Sequence, residues 1–459
     1  MQDQKKTLTL FAITWPLFIE LFLHILMGNA DTLMLSLYSD NSVAAVGVAN
    51  QILSLIVVMF GFIATGTAIL VAQNLGAKNS IAANQVSVIS LVANFAFGLI
   101  LSIFVFLMSK QLLHLMDLPA ELMGEAHSYL SVVGGFAFVQ AIIMTAGAIL
   151  RSYGFTKDAM YVTIGMNLLN ILGNYLFIFG PFGIPVLGVE GVALSTTISR
   201  FVGLIVIMVI LVKRIPEKLH FLGVFKMPFQ HFKNLLAIGI PSAGEQLSYN
   251  ASQMAITFFI TMLGTEALTT RVYAANLMMF IYLFAIAIGQ GTQILNGHLI
   301  GAGKFEEAYS RCLKSLRFGI LVSFLCALVF SLFSEQLFSL FTANESIIAL
   351  GGLLLWITVI IEPGRAFNIV IINSLRATGD VKFPVIVGIM SMWGVAVSLS
   401  YILGIHFGLG LIGVWIAFAL DEWLRGILML KRWKSKVWMT KSFTKKAEED
   451  IDMTKQAAS

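Results

Sequence analysis

The amino-acid sequence predicts an all-α polytopic membrane protein whose twelve transmembrane helices form two six-helix bundles with a cleft between them. Three observations carry that prediction. Of 459 residues, 58% are hydrophobic and only 12% charged, with 36 phenylalanines among them, and the mean hydropathy is +0.88. That is more apolar surface than a water-soluble core can hide. Apolar runs of about 20 or more residues, the length that crosses a hydrocarbon layer of roughly 30 Å, recur along the whole chain. The two halves also match each other at a constant shift of 225 residues.

The twelve runs lie near 8–37, 43–72, 83–108, 125–150, 159–180, 187–212, 233–262, 267–299, 312–334, 347–375, 383–404 and 410–431. Short polar or Gly/Pro-rich breaks separate them, such as Tyr38-Ser39-Asp40-Asn41 and Pro181-Phe182-Gly183-Ile184-Pro185. The first run is too long for a signal-peptide core and is expected to stay in the mature chain. Two longer polar stretches divide the sequence into an N-terminal bundle (1–212), a linker (213–232), a C-terminal bundle (233–431) and a basic tail (432–459).

The repeat is specific in its register. Pro16 and Glu20 become Pro241 and Glu245, and Gly66-Thr67 and Gly76-Ala77 become Gly291-Thr292 and Gly301-Ala302. Leu150-Arg151, Gly154 and Lys157 become Leu375-Arg376, Gly379 and Lys382, while Gly183, Gly188 and Arg200 become Gly408, Gly413 and Arg425. Six spans per unit is an even number, so both copies enter the membrane in the same direction. A parallel repeat suits alternating access, with one bundle rocking against the other.

Charge placement gives the orientation. With both termini on the inner side, 24 of the 29 Lys and Arg fall in inner segments, Lys5 and Lys6 among them, against Lys110 and Arg271 outside. The positive-inside rule therefore predicts cytoplasmic termini in a plasma-membrane protein. It also accounts for the net charge of +5 without a nucleic-acid partner. The stretch Lys431-Arg432-Trp433-Lys434, with Lys436 and Trp438, reads as an anchor for an anionic leaflet. Cys312 and Cys326 show no CxxC spacing and no accompanying His cluster, so neither a disulfide framework nor a metal site is expected. Gly408-Leu409-Gly410-Leu411-Ile412-Gly413 satisfies GxGxxG but lies between two spans with no βαβ context, and no phosphate-binding GxxxxGK[ST] loop is present. No cofactor and no enzymatic activity are expected.

The polar residues inside the spans are the functional candidates. Glu20, His24 and Asp31 share one helical face of the first span. A carboxylate at depth costs at least about 2.5–3.5 kcal/mol, so that face turns to a bundle interior or a wet cavity. Asn167, Asn170 and Asn174 make a second polar stripe on the fifth span, and their amides suit neighbours of Asp31. In the second half, Glu245 and Tyr249 lie one turn apart. Glu362 and Arg365 are spaced to neutralise each other, as are Asp421 and Arg425. Glu20 and Glu245 occupy equivalent repeat positions and are, with Tyr249 and Glu362, candidates to face a substrate in the cleft.

Several of these residues together resemble a known family. The six-plus-six layout, the pattern Pro16…Gly28-Asn29-Ala30-Asp31-Thr32, the Ala44-Ala45-Val46-Gly47 opening of the second span, and Leu-Arg-x-x-Gly followed by Lys ending spans four and ten are similar to the multidrug and toxic compound extrusion (MATE) family. The resemblance covers the chain to about Lys431. It implies a V-shaped pair of bundles and a secondary-active antiporter exporting small organic, often cationic, compounds in exchange for protons or sodium ions; separately, the chain is expected to be a monomer in the membrane lipid. Asp31 matches the family's first-span aspartate, implicated in ion coupling, and a coupling sodium ion would sit near it. Asn170-x-x-x-Asn174 is similar to the family's fifth-span Asn-x-x-x-Asp, and Thr196 to its sixth-span threonine. Asn174 in place of an acid removes one carboxylate from that site. Relatives with a seventh-span glutamate and a tenth-span aspartate have Tyr249 and Arg365 at the corresponding places here, with Glu245 and Glu362 a turn away. The other reading is a lipid-linked precursor flippase of related fold, which would need unpaired Arg or Lys in its cavity to hold a pyrophosphate.

Overall fold

A computed structural model describes residues 9–444, almost all of them helical. Lys5 and Lys6, and the tail from 445 on with Lys445, Lys446 and Lys455, lie outside the described residues. The helices are α1 (Leu10–Ser36), α2 (Asp40–Gly76), α3 (Ser80–Leu115), α4 (Ala120–Gly135), α5 (Ala137–Ser152), α6 (Thr156–Phe179) and α7 (Gly188–Arg214). In the second half come α8 (Phe229–Thr261), α9 (Thr265–Gly301), α10 (Phe305–Leu332), the short α11 (Ser334–Ser339), α12 (Glu345–Thr378), α13 (Lys382–Ser391) and α14 (Gly410–Lys434). They account for the twelve expected segments. α4 and α5 are one segment bent by 43°, and α13 continues through π-helical turns at Met392–Val397 and Ser400–His406.

Among the described residues, nine helices are long and apolar enough to cross a membrane, or ten with the bent pair counted as one. The two remaining long helices, α8 and α14, are diluted by polar residues, including Glu245 in the first and Asp421, Glu422 and Arg425 in the second. Proline sits inside α1 at Pro16 and inside α8 at Pro241, the same place in each repeat. It removes one backbone hydrogen bond from each helix at that point.

Packing divides the chain into two compact units. The first comprises Ile19–Val71 and Asn79–Gly239; the second joins Ala72–Lys78 to the described residues up to Phe18 and from Ile240 on. This differs from a division at residues 212 and 233. The linker packs on the first unit, where the Asn84 amide donates to the Lys218 carbonyl at 2.9 Å and Ile215 is buried beside Ile207 and Leu211. The first unit's main core gathers Phe60, Leu130, Val133 and small residues of α2 such as Ala45 and Ala49. In the second unit, Leu354, Leu355, Ile361 and Trp415 form one core cluster.

The Leu-Arg-x-x-Gly element has a physical reading in both units. Gly154 and Gly379 end α5 and α12 with φ of +87° and +94°, a left-handed conformation that glycine adopts without a Cβ penalty. The arginine three residues earlier is thereby fixed on the last helical turn. Gly76 and Gly301, equivalent in the repeat, are needed for a close approach within the second unit. A Cβ on Gly76 would lie 2.1 Å from the His298 carbonyl oxygen, and one on Gly301 would lie 1.8 Å from that of Gln73.

The tail departs from the sequence expectation. Trp433 and Trp438 are both fully buried and stack with ring centroids 4.2 Å apart, so these indoles cannot sit among lipid headgroups. Beyond them, the Phe443 backbone N–H donates to Gln73 Oε1 at 3.0 Å, while Gln73 Nε2 donates to the Ala377 carbonyl at 2.6 Å. Residues through Thr444 thus belong to the packed second unit.

Candidate functional site

In the first unit, Asp31 is the most enclosed carboxylate of α1, at 4% exposure. Asn174 Nδ2, on the facing turn of α6, donates to Asp31 Oδ1 at 2.5 Å. One turn earlier Asn170 Nδ2 donates to Thr196 Oγ1 of α7 at 3.1 Å, and Asn167 Nδ2 donates to the Leu23 carbonyl at 3.2 Å. Gly173 lets α7 come close enough for these bonds, because a Cβ there would lie 2.3 Å from Ser195 Oγ. The structure therefore brings Asp31, Asn170, Asn174 and Thr196 into one buried group. The Oδ1 atoms of Asn170 and Asn174 are buried without hydrogen-bond partners. A carboxylate and two carbonyl-type oxygens are what a hard cation takes as ligands, and the carboxylate alone can carry a proton.

Two further residues join this group. Tyr129, 2% exposed on α4, has Asn50 and Thr196 beside its hydroxyl. Arg200, one turn beyond Thr196 on α7, lies within electrostatic reach of Asp31, Tyr129 and His24. Tyr129 gave no sequence signal among so many aromatic residues. Arg200 gave one through the repeat, since its equivalent is Arg425.

Glu20 does not share a partner with Asp31. Its carboxylate accepts two bonds from Arg151 Nη1, at 2.8 and 3.1 Å. The equivalent residues of the second unit, Glu245 and Arg376, pair in the same way. Both glutamates named as substrate-facing are thus already engaged with the arginine of the Leu-Arg-x-x-Gly element. A glycine beside each pair leaves room for it: Gly147 next to Arg151 and Gly388 next to Glu245. His24 is exposed on the surface of its unit.

The second unit holds a denser charge cluster. Glu362 Oε1 accepts from Arg365 at 2.7 Å, and Arg365 also approaches Glu422 at 3.5 Å. Arg425 pairs with Asp421 at 2.6 Å and with Glu422 at 3.1 Å. Ser391 and Asn368 donate to Asp421 and Glu422 at 2.6 and 3.0 Å. Glu422 links the two pairs that spacing alone kept separate. Tyr249 stays 38% exposed and within electrostatic reach of Arg365 and Tyr282. Among the described residues no group of three His, Cys, Asp or Glu is placed to hold a metal ion.

Comparison with known proteins places this geometry in context. The MatE family model matches residues 16–176 and 241–402, once in each half. The chain is 56% identical over 436 residues to an uncharacterized transporter, YisQ, of Bacillus subtilis (strain 168), covering 95% of this chain and 96% of that one. It is 28% identical to a probable multidrug resistance protein NorM of Thermotoga maritima, over 94% of this chain and 92% of that one. Among solved structures, a MATE crystal structure in the bent conformation superposes with a TM-score of 0.86 at 22% identity, over 95% of this chain and 98% of that one. A MOP superfamily transporter from Pyrococcus furiosus gives 0.84 at 22% identity over 93% and 95%.

Proposed function

Since the chain belongs to the MATE family of membrane transporters, we propose that it is a secondary-active antiporter that exports small organic compounds in exchange for protons or sodium ions. The single observation that carries this reading is the Asp31 group. A buried carboxylate, held by one amide and flanked by two unpartnered amide oxygens, is equipped to load and release a small cation. Asn170, Asn174 and Thr196 set the position of that carboxylate. When Asp31 takes a proton it exchanges an acceptor for a donor, and its bond to Asn174 must be remade. Loading thereby changes the preferred packing of α1 against α6 and α7, as a coupled transporter requires.

The cargo is an organic compound bearing a positive charge, in keeping with the acidic first span. The NorM relatives carry multidrug resistance names, which fits a drug-like cargo. The protein works as a monomer in the plasma membrane with cytoplasmic termini and needs no cofactor. A lipid-linked precursor flippase is favoured by one observation, Arg200, which forms no ion pair among the described residues. One guanidinium is a thin receptor for a pyrophosphate, and the other interior arginines are paired.

The test is efflux of a fluorescent organic cation from sealed vesicles containing the purified protein, under an imposed pH gradient and then a sodium gradient. Transport driven by either gradient supports the exporter and identifies its ion. Absence of transport under both overturns it.

A further inference from the structure

We propose that Arg200 and Thr197 form a receptor for an oxyanion on the transported molecule, so that the cargo carries a carboxylate or phosphate as well as its positive charge. The inference rests on the transport reading above and specifies its substrate.

The observation is a contrast inside one duplicated helix. At a shift of 225 residues, Arg200 of α7 corresponds to Arg425 of α14, Thr196 to Asp421 and Thr197 to Glu422. In α14 both acids lie one turn before the arginine and pair with it, at 2.6 and 3.1 Å. In α7 the same two positions are threonines, so the arginine has lost both of its local counter-charges. Asp31 lies within electrostatic reach of Arg200, but no acid among the described residues forms an ion pair with it. The two carboxylates of α1 are engaged elsewhere, Glu20 with Arg151 and Asp31 with Asn174, and among the described residues Arg200 makes no ion pair or hydrogen bond.

Arg200 Nε and Thr197 Oγ1 are both buried without partners, three residues apart on one helix and therefore on one face. The remainder of the arginine side chain stays partly accessible. Two unused donors thus share a helical face with a fixed positive charge, whereas Asn170 and Asn174 present unused acceptors. An unpaired charge within a membrane span is costly enough that its partner is expected to arrive from outside the chain. A planar guanidinium with a hydroxyl beside it matches a carboxylate or phosphate.

The experiment uses a matched pair of dyes, a zwitterionic rhodamine carboxylate and its methyl ester, which share the ring cation and differ only in the anion. Binding to the purified full-length protein is read by fluorescence anisotropy in detergent. The wild type is expected to bind the carboxylate about tenfold or more tightly than the ester, the contribution of one charge-assisted hydrogen bond. Arg200→Gln abolishes that preference; Arg200→Lys restores part of it, and Thr197→Val weakens it less than Arg200→Gln does. Equal binding of both dyes by the wild type overturns the proposal without any variant, as does a preference that survives in Arg200→Gln. A merely structural arginine would weaken both dyes alike.

Competition separates the sources of the anion. Displacement of the carboxylate dye by inorganic phosphate supports a soluble cargo, whereas displacement only by a short-chain phosphatidate overturns it in favour of a lipid headgroup. If the ester is pumped from vesicles while the carboxylate gains nothing in binding, this proposal fails and the exporter stands. If neither dye moves under either gradient, the exporter reading itself fails.

Discussion

The two units share a scaffold and differ in what they have done with it. Each has a proline at the same place in its first helix and a glutamate four residues later. In each, that glutamate pairs with an arginine 131 residues downstream, one turn before a left-handed glycine. Beyond this frame they diverge. The positions of Asp31 and Asn174 in the first unit are occupied in the second by Ile256 and Leu399, and the second unit has instead the closed cluster of Glu362, Arg365, Asp421, Glu422 and Arg425. Every charge in that cluster meets an opposite one, whereas in the first unit Asp31 and Arg200 remain without ionic partners among the described residues. Duplication preserved the pairs that hold helix ends and left one copy with a buried carboxylate and a guanidinium that have no ionic partner among the described residues.

Even the conserved architecture tolerates exchange. Phe155 and Asp158 in the first unit correspond to Asp380 and Phe383 in the second. In both, a nearby arginine bonds the aspartate at 2.7 Å and lies over the phenylalanine ring, at 4.9 and 4.8 Å. The contact is kept although the two residues have traded places.

The difference between the two units predicts unequal effects of substitutions at their charged and aromatic residues. Asp31→Asn is expected to reduce ion-driven efflux from vesicles to background, while Glu362→Gln, altering a carboxylate already neutralised by Arg365, lowers it only partly. Comparable losses would place coupling in both units. Trp438→Ala removes one ring of the buried stack and is expected to cost about 3 kcal/mol or more, read as a lowered thermal unfolding midpoint in detergent. The first unit has Lys213 at the equivalent position, where Lys213→Ala should change little.

Glu20→Gln and Glu245→Gln each leave an arginine without its counter-charge. Each should cost about 2–3 kcal/mol, the low side for a buried pair because the side chains remain 15% and 10% exposed. The two losses should be similar, and a large difference would separate the roles of the twin pairs. Gly154→Ala forces a left-handed alanine and should cost about 1–2 kcal/mol. Gly379→Ala should cost more, since its Cβ would also lie 2.3 Å from the Lys441 carbonyl oxygen.

Much of this was legible in one dimension. Twelve segments follow from hydropathy because membrane spans must satisfy their own backbone. The Glu362–Arg365 and Asp421–Arg425 pairs follow from helical spacing, and the facing of Asp31 and Asn174 from two polar stripes. The Glu20–Arg151 pair spans 131 residues, too far for any local rule, yet the same separation recurs between Glu245 and Arg376, so the repeat carried an unused signal. Other features left no such trace. The bend at Phe136 and the π turns after Ser391 have no counterpart in the hydropathy pattern. Buried Trp433 and Trp438, interspersed with lysines, have the same pattern as an interfacial anchor, and only tertiary contacts with Phe305 and Tyr309 distinguish the two.

Asp31 is the proposed carrier of the coupling ion. The most direct measurement is simultaneous recording of organic efflux and counter-ion movement, by a pH dye or radiolabelled sodium, in vesicles containing the wild type or Asp31→Asn. Ion uptake is expected to accompany efflux in a fixed ratio in the wild type, and both are expected to vanish together in the variant. Efflux that proceeds with no ion movement, or ion exchange that persists in Asp31→Asn, would contradict it.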